Sequence, residues 1–216
     1  MKGKPARGRG VERAVQATTV RPTAAPARAP GTARAPHEVR IIGGLWRRSR
    51  LPVADAPGLR PTPDRVRETL FNWLGQDLTG WTVLDAFAGS GALGFEAASR
   101  GAVAVTLVES DPHLARGLQA VRTRLGATAT TIVASDGIAW MRRTPARFDL
   151  VLLDPPFDSG LFEAALAAAA NAVVPRGWVY LEAPVAHAAD ALAAAGFEIH
   201  RHLRAGAVHA HLLRRA

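Results

Sequence analysis

From Trp81 onward the chain alternates short apolar runs with helical stretches, and this alternation restricts the possible folds more than any other feature. Strand-like runs fall at residues 81–87, 103–109, 129–134, 148–153 and 177–182, and helical patterns at 91–100, 112–125, 137–143, 160–172 and 186–195. Repeated strand–helix units demand a mostly parallel sheet with helices on both faces, since each crossover has to bury an apolar stripe. Two more strands fit 197–204 and 207–213, joined by the tight Arg204-Ala205-Gly206-Ala207 turn. So short a turn joins only antiparallel neighbours. The expectation is a doubly wound α/β sheet of seven strands, with one reversed strand near an edge.

Ahead of this core sheet, assigned to residues 81–214, the sequence predicts two smaller parts. Val39-Arg40-Ile41-Ile42-Gly43-Gly44 and Ser49-Arg50-Leu51-Pro52-Val53 flank a turn with Arg47 and Arg48 at its tip, giving a small N-terminal hairpin within 38–60. A helix follows within 61–75, with Thr62 as N-cap, Pro63 at the first helical position and Asp64 favouring the N-terminus. Residues 1–37 are rich in Ala, Pro, Arg, Gly and Thr without an apolar period, and they read as a disordered basic tail. Such a segment buries too little apolar surface to offset the entropy of ordering. Its scattered prolines spoil the amphipathic helix of a transit peptide, so a flexible arm near RNA is the better reading.

Charge is concentrated at the same end. Residues 1–67 carry 15 Lys and Arg against Glu12, Glu38, Asp55 and Asp64, a net +11, whereas residues 68–216 carry 12 Arg against 14 acids, a net −2. That asymmetry fits a polyanion partner, with nucleic acid the leading candidate. The expected RNA-binding residues are Arg40, Arg47, Arg48, Arg50, Arg60, Arg65 and Arg67, gripping phosphates more than reading bases. Affinity should fall steeply with salt, and removal of residues 1–37 should weaken binding without moving the target nucleotide. A mean hydropathy of +0.04, with no apolar run near the roughly 18 residues of a membrane span, points to a soluble, cytoplasmic protein. The chain has no Cys, which excludes disulfides and thiolate metal sites, and no metal is expected. His209 and His211 alternate like a strand and read as one exposed face. Nothing demands more than a monomer.

Two motifs carry chemistry. Asp154-Pro155-Pro156-Phe157 follows the apolar run ending at Leu153, so it lies at the C-terminal end of a strand, where open α/β sheets place their ligand crevices. Proline lacks an N–H and fixes φ, so the pair forms a stiff loop with carbonyls free to accept. Asp154 adds acceptors and Phe157 a flat face, a combination suited to an amine on an aromatic base. The second motif, Asp85-Ala86-Phe87-Ala88-Gly89-Ser90-Gly91-Ala92-Leu93-Gly94, spells the glycine fingerprint of dinucleotide sites, with Glu109 twenty residues after Gly89. A nicotinamide-dependent oxidoreductase is therefore one reading. Asp85 opposes it, because a carboxylate beside the glycine turn repels a pyrophosphate and attracts an ammonium. S-adenosylmethionine carries that ammonium and no phosphate. Glu109 suits the hydroxyls of a ribose, and Asp136 suits an adenine amine. Asp85, Glu109, Asp136 and Asp154 end four successive strands.

On these residues, the stretch from Val39 to Leu213 resembles the bacterial 16S rRNA guanine-N2 methyltransferase D family, of the class I S-adenosylmethionine-dependent type with a Rossmann-like sheet. The most specific likeness is Leu59-Arg60-Pro61-Thr62-Pro63-Asp64-Arg65-Val66-Arg67-Glu68-Thr69-Leu70-Phe71-Asn72-Trp73-Leu74, supported by Arg40-Ile41-Ile42-Gly43-Gly44 and the two motifs above. The resemblance implies S-adenosylmethionine held by Asp85, Phe87, Ala88, Gly89, Ser90, Gly91, Glu109, Ser110, Asp111, Asp136 and Gly137. It implies catalysis at Asp154, Pro155, Pro156 and Phe157, on one guanine of 16S rRNA in an assembled or nearly assembled small subunit. Asp136-Gly137 departs from the Asn and small residue expected there. Three rivals stand beside it: a DNA adenine-N6 methyltransferase, a methyltransferase for another RNA guanine or a protein, and a catalytically silent RNA-binding module. The little sequence left outside the sheet opposes the first, and the acids at every cofactor position oppose the last.

Overall fold

The structure is a computed structural model of the 216-residue chain and describes residues 1, 38–54 and 62–216. The expected tail, residues 2–37, and Arg60 lie outside the described residues. A two-stranded antiparallel hairpin comes first, β1 (Glu38–Arg40) and β2 (Arg50–Pro52), followed by α1 (Asp64–Trp73). The alternating core follows as β3 (Thr82–Asp85), α2 (Ala92–Ser99), β4 (Ala104–Glu109), α3 (Pro112–Leu125), β5 (Thr130–Ala134), α4 (Gly137–Arg143) and β6 (Phe148–Leu153). It closes with α5 (Phe162–Ala172), β7 (Val173–Ala183), α6 (Ala189–Ala194), β8 (Phe197–Ala205) and β9 (Val208–Arg215).

The large sheet has the order β5-β4-β3-β6-β7-β9-β8, and only the β9 pairings are antiparallel. The reversed strand therefore lies one position in from the edge, as the tight Arg204–Ala207 turn requires. Inward-facing residues alternate along the central strands. Val83, Leu150, Leu152, Tyr180 and Leu212 pack beneath α1–α3, while Leu84, Val151, Leu153, Val179 and Leu213 pack beneath α4–α6. Each such side chain contributes about 1.5–3 kcal/mol when fully buried.

Three local expectations need correction. β7 begins at Val173, four residues before the expected start, because Val173 pairs with Phe148 ahead of a register shift. Pro175-Arg176-Gly177, with Arg176 at φ 57°, hides that first stretch behind a turn-like sequence. Thr62 does not cap α1: Pro63 holds the N-cap position without a side-chain bond, and the Thr62 hydroxyl is committed to Asp154. Arg67 is not a phosphate contact. It is fully buried, bonding Asp64 at 2.8 Å, the Arg40 carbonyl at 2.8 Å and Glu96 at 3.5 Å.

Glu96 is the anchor of the N-terminal hairpin. Its carboxylate accepts from the Ile42 N–H at 2.7 Å, the Gly43 N–H at 2.8 Å and Arg100 Nε at 2.9 Å. Gly44, at φ 72°, lets the hairpin lie on α2, where a Cβ would come within 1.8 Å of the Ser99 carbonyl oxygen. Spacing to Leu70, Phe71 and Leu74 puts Arg67 on the buried face of α1, and the partners that make a buried charge tolerable there, Asp64, Glu96 and the Arg40 carbonyl, come from three different elements.

Candidate active site

From β3 the chain runs outward through β4 and β5, then returns to add β6 on the other side of β3. Crevices in open α/β sheets form at such a reversal, beyond the C-terminal strand ends. Asp85 closes β3 and Asp154 follows β6 directly, so two expected site acids flank the reversal. The register puts them on one face. Asp85 pairs with Leu152 and Leu152 with Tyr180, and residues two apart along a strand share a face. Glu109 joins them by the same rule, since Asp85 also pairs with Leu107.

Each acid is held locally. Buried Asp85 accepts from the Gly94 N–H at 2.8 Å, the close helix–strand approach that the third glycine of the fingerprint permits. Burial outweighs that bond and, with the Glu109 charge, lifts the Asp85 pKa to about 7. Glu109 braces the glycine turn, accepting from the Gly89 N–H and the Asp111 N–H, each at 2.8 Å. Glu109 Oε1 also accepts from the Ser110 hydroxyl at 3.4 Å, so its Oε2, with one bond, keeps a lone pair for a ligand. Gly91, at φ 78°, caps α2, and a Cβ there would sit 2.5 Å from the Phe95 ring. Ala88 is tied to the Val108 carbonyl at 3.0 Å, with Phe87 and Ser90 half-buried around the turn.

Farther along the rim, Asp111 caps α3 through the His113 N–H at 2.6 Å, beside exposed Ser110. Asp136 caps α4 through the Ala139 N–H at 2.7 Å and is exposed, its other carboxylate oxygen without a partner among the described residues. Gly137 abuts β3 so closely that a Cβ would meet the Ala86 carbonyl oxygen at 2.1 Å. The small residue expected at the second position thus has a packing reason, and the departure is confined to Asp136 in place of Asn.

Asp154 is half-exposed as a residue, but its carboxyl lies inside the crevice wall, where Oδ2 accepts from Thr62 Oγ1 at 3.2 Å. Burial, then the neighbouring Glu182 charge, pushes its pKa well above the ordinary carboxylate range. Pro155 is buried and Pro156 exposed, and Phe157 opens a short 3-10 turn with its half-buried ring 6.4 Å from Phe162. Sequence reasoning missed Thr62, Tyr180 and Glu182. Leu153 pairs with Leu181, so Asp154 and Glu182 are next in register on adjacent strands. The available signal was Glu182 itself, an acid closing a fifth successive strand.

The expected phosphate contacts divide. Arg47 and Arg48 are exposed at the hairpin tip and Arg65 is exposed on α1. Arg40 and Arg50 are also exposed, but pair with Asp64 at 3.5 Å and Glu38 at 2.8 Å. His209 and His211 do not form one exposed face. His209 is half-buried and His211 buried, stacked on His202 at 4.6 Å and edge-on to His187 at 5.6 Å. The loop after β7 closes over that face, which strand alternation cannot reveal. Burial lowers the His211 pKa from 6.5 to about 4. The folded state therefore keeps His211 neutral where the unfolded chain protonates, so stability is lost as pH falls from about 6.5 towards 4. Melting temperatures across that range should drop in the wild type and drop less in His211→Leu. An equal slope in both proteins contradicts this assignment.

Among the described residues, no group of three or more His, Asp or Glu is placed to hold a metal ion, and no helix is long and apolar enough to cross a membrane.

Known proteins resemble the chain in sequence and in fold. A family model described as "Conserved hypothetical protein 95" matches residues 39–214. Ribosomal RNA small subunit methyltransferase D of Escherichia coli K12 is 41% identical over 177 residues, covering 79% of this chain and 87% of the relative. The Haemophilus influenzae protein of the same name is 42% identical over 157 residues, covering 70% and 81%. The solved structure of the Escherichia coli putative methyltransferase yhhF superposes with a TM-score of 0.73 at 39% identity, covering 82% of this chain and 98% of that one. The Thermus thermophilus 16S rRNA N2 G1207 methyltransferase, solved with AdoMet and guanosine, superposes with a TM-score of 0.63 at 26% identity, covering 83% and 50%. With a family match over residues 39–214 and 41% identity to the Escherichia coli relative, the chain belongs to the Conserved hypothetical protein 95 family, alongside ribosomal RNA small subunit methyltransferase D.

Proposed function

We propose that the protein methylates the exocyclic N2 of a guanine in 16S rRNA, using S-adenosylmethionine as donor. Its substrate is the assembled or nearly assembled small ribosomal subunit, and it works as a cytoplasmic monomer. The observation that carries this reading is Asp154-Pro155 on one side of the strand-order reversal facing Asp85 on the other. The names of the relatives support the rRNA substrate, and the Thermus neighbour solved with guanosine supports the base.

The residues present suit such a donor. Buried Asp85 at the foot of the glycine turn disfavours a pyrophosphate and favours a cation. Asp85, the Phe87–Gly91 turn, Glu109, Ser110, Asp111, Asp136 and Gly137 would hold it, and it supplies a methyl group on an electrophilic sulfonium. The protein's own contribution is alignment. The guanine leaves its stack and enters the crevice, and Phe157 stacks on its face. Asp154 Oδ1 and the Pro155 carbonyl accept the two amine hydrogens. Holding both turns the nitrogen lone pair out of the ring plane, towards the incoming carbon. The proton leaves after transfer, when the nitrogen is cationic, so Asp154 is not required as a full general base. Exposed Arg47, Arg48 and Arg65 supply phosphate contacts.

Small subunits from a strain lacking the enzyme should gain one N2-methylguanine in 16S rRNA on incubation with the protein and donor, as mapped by mass spectrometry. Methylation of adenine, or of free RNA alone, would overturn the reading.

A further inference from the structure

The aromatic side chains do not stop at Phe157. Phe162, which opens α5, lies 6.4 Å from it, and His187, in the loop between β7 and α6, lies 6.1 Å from Phe162. His187 is edge-on to His211 of β9 at 5.6 Å, His211 stacks on His202 of β8 at 4.6 Å, and His202 stacks on His209 at 5.3 Å. Each contact falls within the roughly 4.5–7 Å range of interacting rings. The six side chains therefore form one unbroken row.

Sheet topology sets its course. β7 ends at Ala183, and antiparallel β9 brings His209 opposite Ala183 and His211 opposite Leu181. β8 then brings His202 opposite His211 and Arg204 opposite His209. The row thus starts at the loop after β6 and follows the same end of the sheet out to the edge strand β8. It leaves the reversal on the side opposite β3, β4 and β5, the half that carries Asp85, Glu109 and Asp136. A chain of nucleotides with one base at Phe157 meets the row without crossing the donor half.

The surface suits bases. His202 is exposed, and Phe157, Phe162, His187 and His209 are half-buried, so each keeps ring surface open to solvent, while buried His211 joins the two halves. The His187 N–H donates to His211 Nε2 at 3.3 Å, which ties the loop after β7 to the row. Burial lowers the pKa of both, so the middle of the row is uncharged at neutral pH. Glu163 acts on His187 and Arg204 on His209, one charge of each sign. The row thus offers π faces first, with one guanidinium beside its outer end. His187 Nε2 and His211 Nδ1 are buried without a partner among the described residues. Apolar side chains would avoid that cost, so packing alone does not account for imidazoles here.

We propose that this row is a stacking platform for single-stranded RNA, taking the bases beside the flipped guanine while Arg204 meets their backbone. The inference rests on the proposed seating of that guanine against Phe157. Unpaired bases stack on Phe and His whatever their sequence, at about 1–3 kcal/mol per base. Neighbours spread along the row would keep the target base from returning to its stack.

His202, at the exposed end, is the residue to change. His202→Ala should weaken binding of the full-length protein to a short fluorescein-labelled single-stranded RNA of mixed sequence by about 5- to 100-fold. It should raise KM for small subunits and leave kcat within about threefold. His202→Phe should bind as the wild type does, because the flat face survives. His202→Lys should bind as weakly as Ala, because only charge survives. The salt slope of the affinity should be the same in wild type and His202→Ala. In the wild type, the His202 Cε1–H resonance should move upfield on adding the RNA and stay in place with an abasic oligomer of equal length. Unchanged RNA affinity in His202→Ala with an unmoved resonance would overturn the proposal. Rescue by Lys but not Phe would overturn it too, since His202 would then be a phosphate contact. A raised KM for subunits with unchanged RNA affinity would assign the row to a protein partner instead. If the wild type methylates no guanine while its His202 resonance still follows RNA, the proposed function fails and the platform stands.

Discussion

Asp154→Ala should lower kcat on small subunits by roughly 10²- to 10³-fold or more, the scale on which a single aligned polar contact at a reacting centre acts. Affinity for S-adenosylmethionine should change by less than about threefold, since a tenfold change would need about 1.4 kcal/mol from a residue on the opposite side of the reversal. Two features separate this result from misfolding. The Asp154 carboxyl is enclosed and crowded by Glu182 and Asp85, so its removal relieves repulsion. The melting temperature should accordingly hold or rise. Asp154→Asn keeps a carbonyl acceptor but can present its NH₂ to the amine instead, so it should fall between Ala and wild type. Steady-state kinetics with purified subunits, cofactor binding by calorimetry and thermal melts check all three. Near-normal turnover of Asp154→Ala would refute the amine-acceptor mechanism.

The parts of this molecule legible in its sequence are those governed by local pattern. The strand–helix alternation after Trp81 and the Arg204–Ala207 turn carry the sheet and its reversed strand, because period and turn length are local properties. The four rim acids are legible for the same reason: each ends an apolar run. What stays hidden depends on which distant residue arrives opposite. Arg67 shares a helical face with Leu70, Phe71 and Leu74, but its charge reads as exposed like that of Arg65 until Glu96 and the Arg40 carbonyl are brought against it from other elements. Thr62 has the composition of an N-cap, but the proximity of Asp154, 92 residues away, claims its hydroxyl. Glu182 escaped because the run before it ends in a polar alternation, Tyr180-Leu181-Glu182, whose inward face becomes evident only when β7 is set beside β6.

Glu96→Ala should cost about 3–5 kcal/mol of folding stability, the range for breaking a buried ion pair by deleting one partner. The Glu96 side chain is fully buried, and Arg67 and Arg100, at 0% and 6% exposure, both rely on it. Asp64 still neutralises part of the Arg67 charge, whereas Arg100 keeps only weak 3.4 Å contacts to Gln76 and the face of Phe71 at 4.8 Å. The Ile42 and Gly43 N–H groups lose their acceptor as well, so the hairpin should become protease-sensitive before the sheet melts. The melting temperature should fall on the order of 10 °C. Glu96→Gln keeps an acceptor for one amide but no charge, and should lose most of the same stability. A double-mutant cycle of Glu96→Gln with Arg67→Met should return a coupling above about 1 kcal/mol, since removing both charges leaves no uncompensated ion between them. Chemical denaturation measures each corner of the cycle, and a cost below about 1 kcal/mol for Glu96→Ala would contradict the hub role. The consequence reaches the active site through α1. Arg67 sits on the helix that Thr62 leads into, so loosening Glu96 should free Thr62 from Asp154 and reduce kcat at temperatures well below the melt.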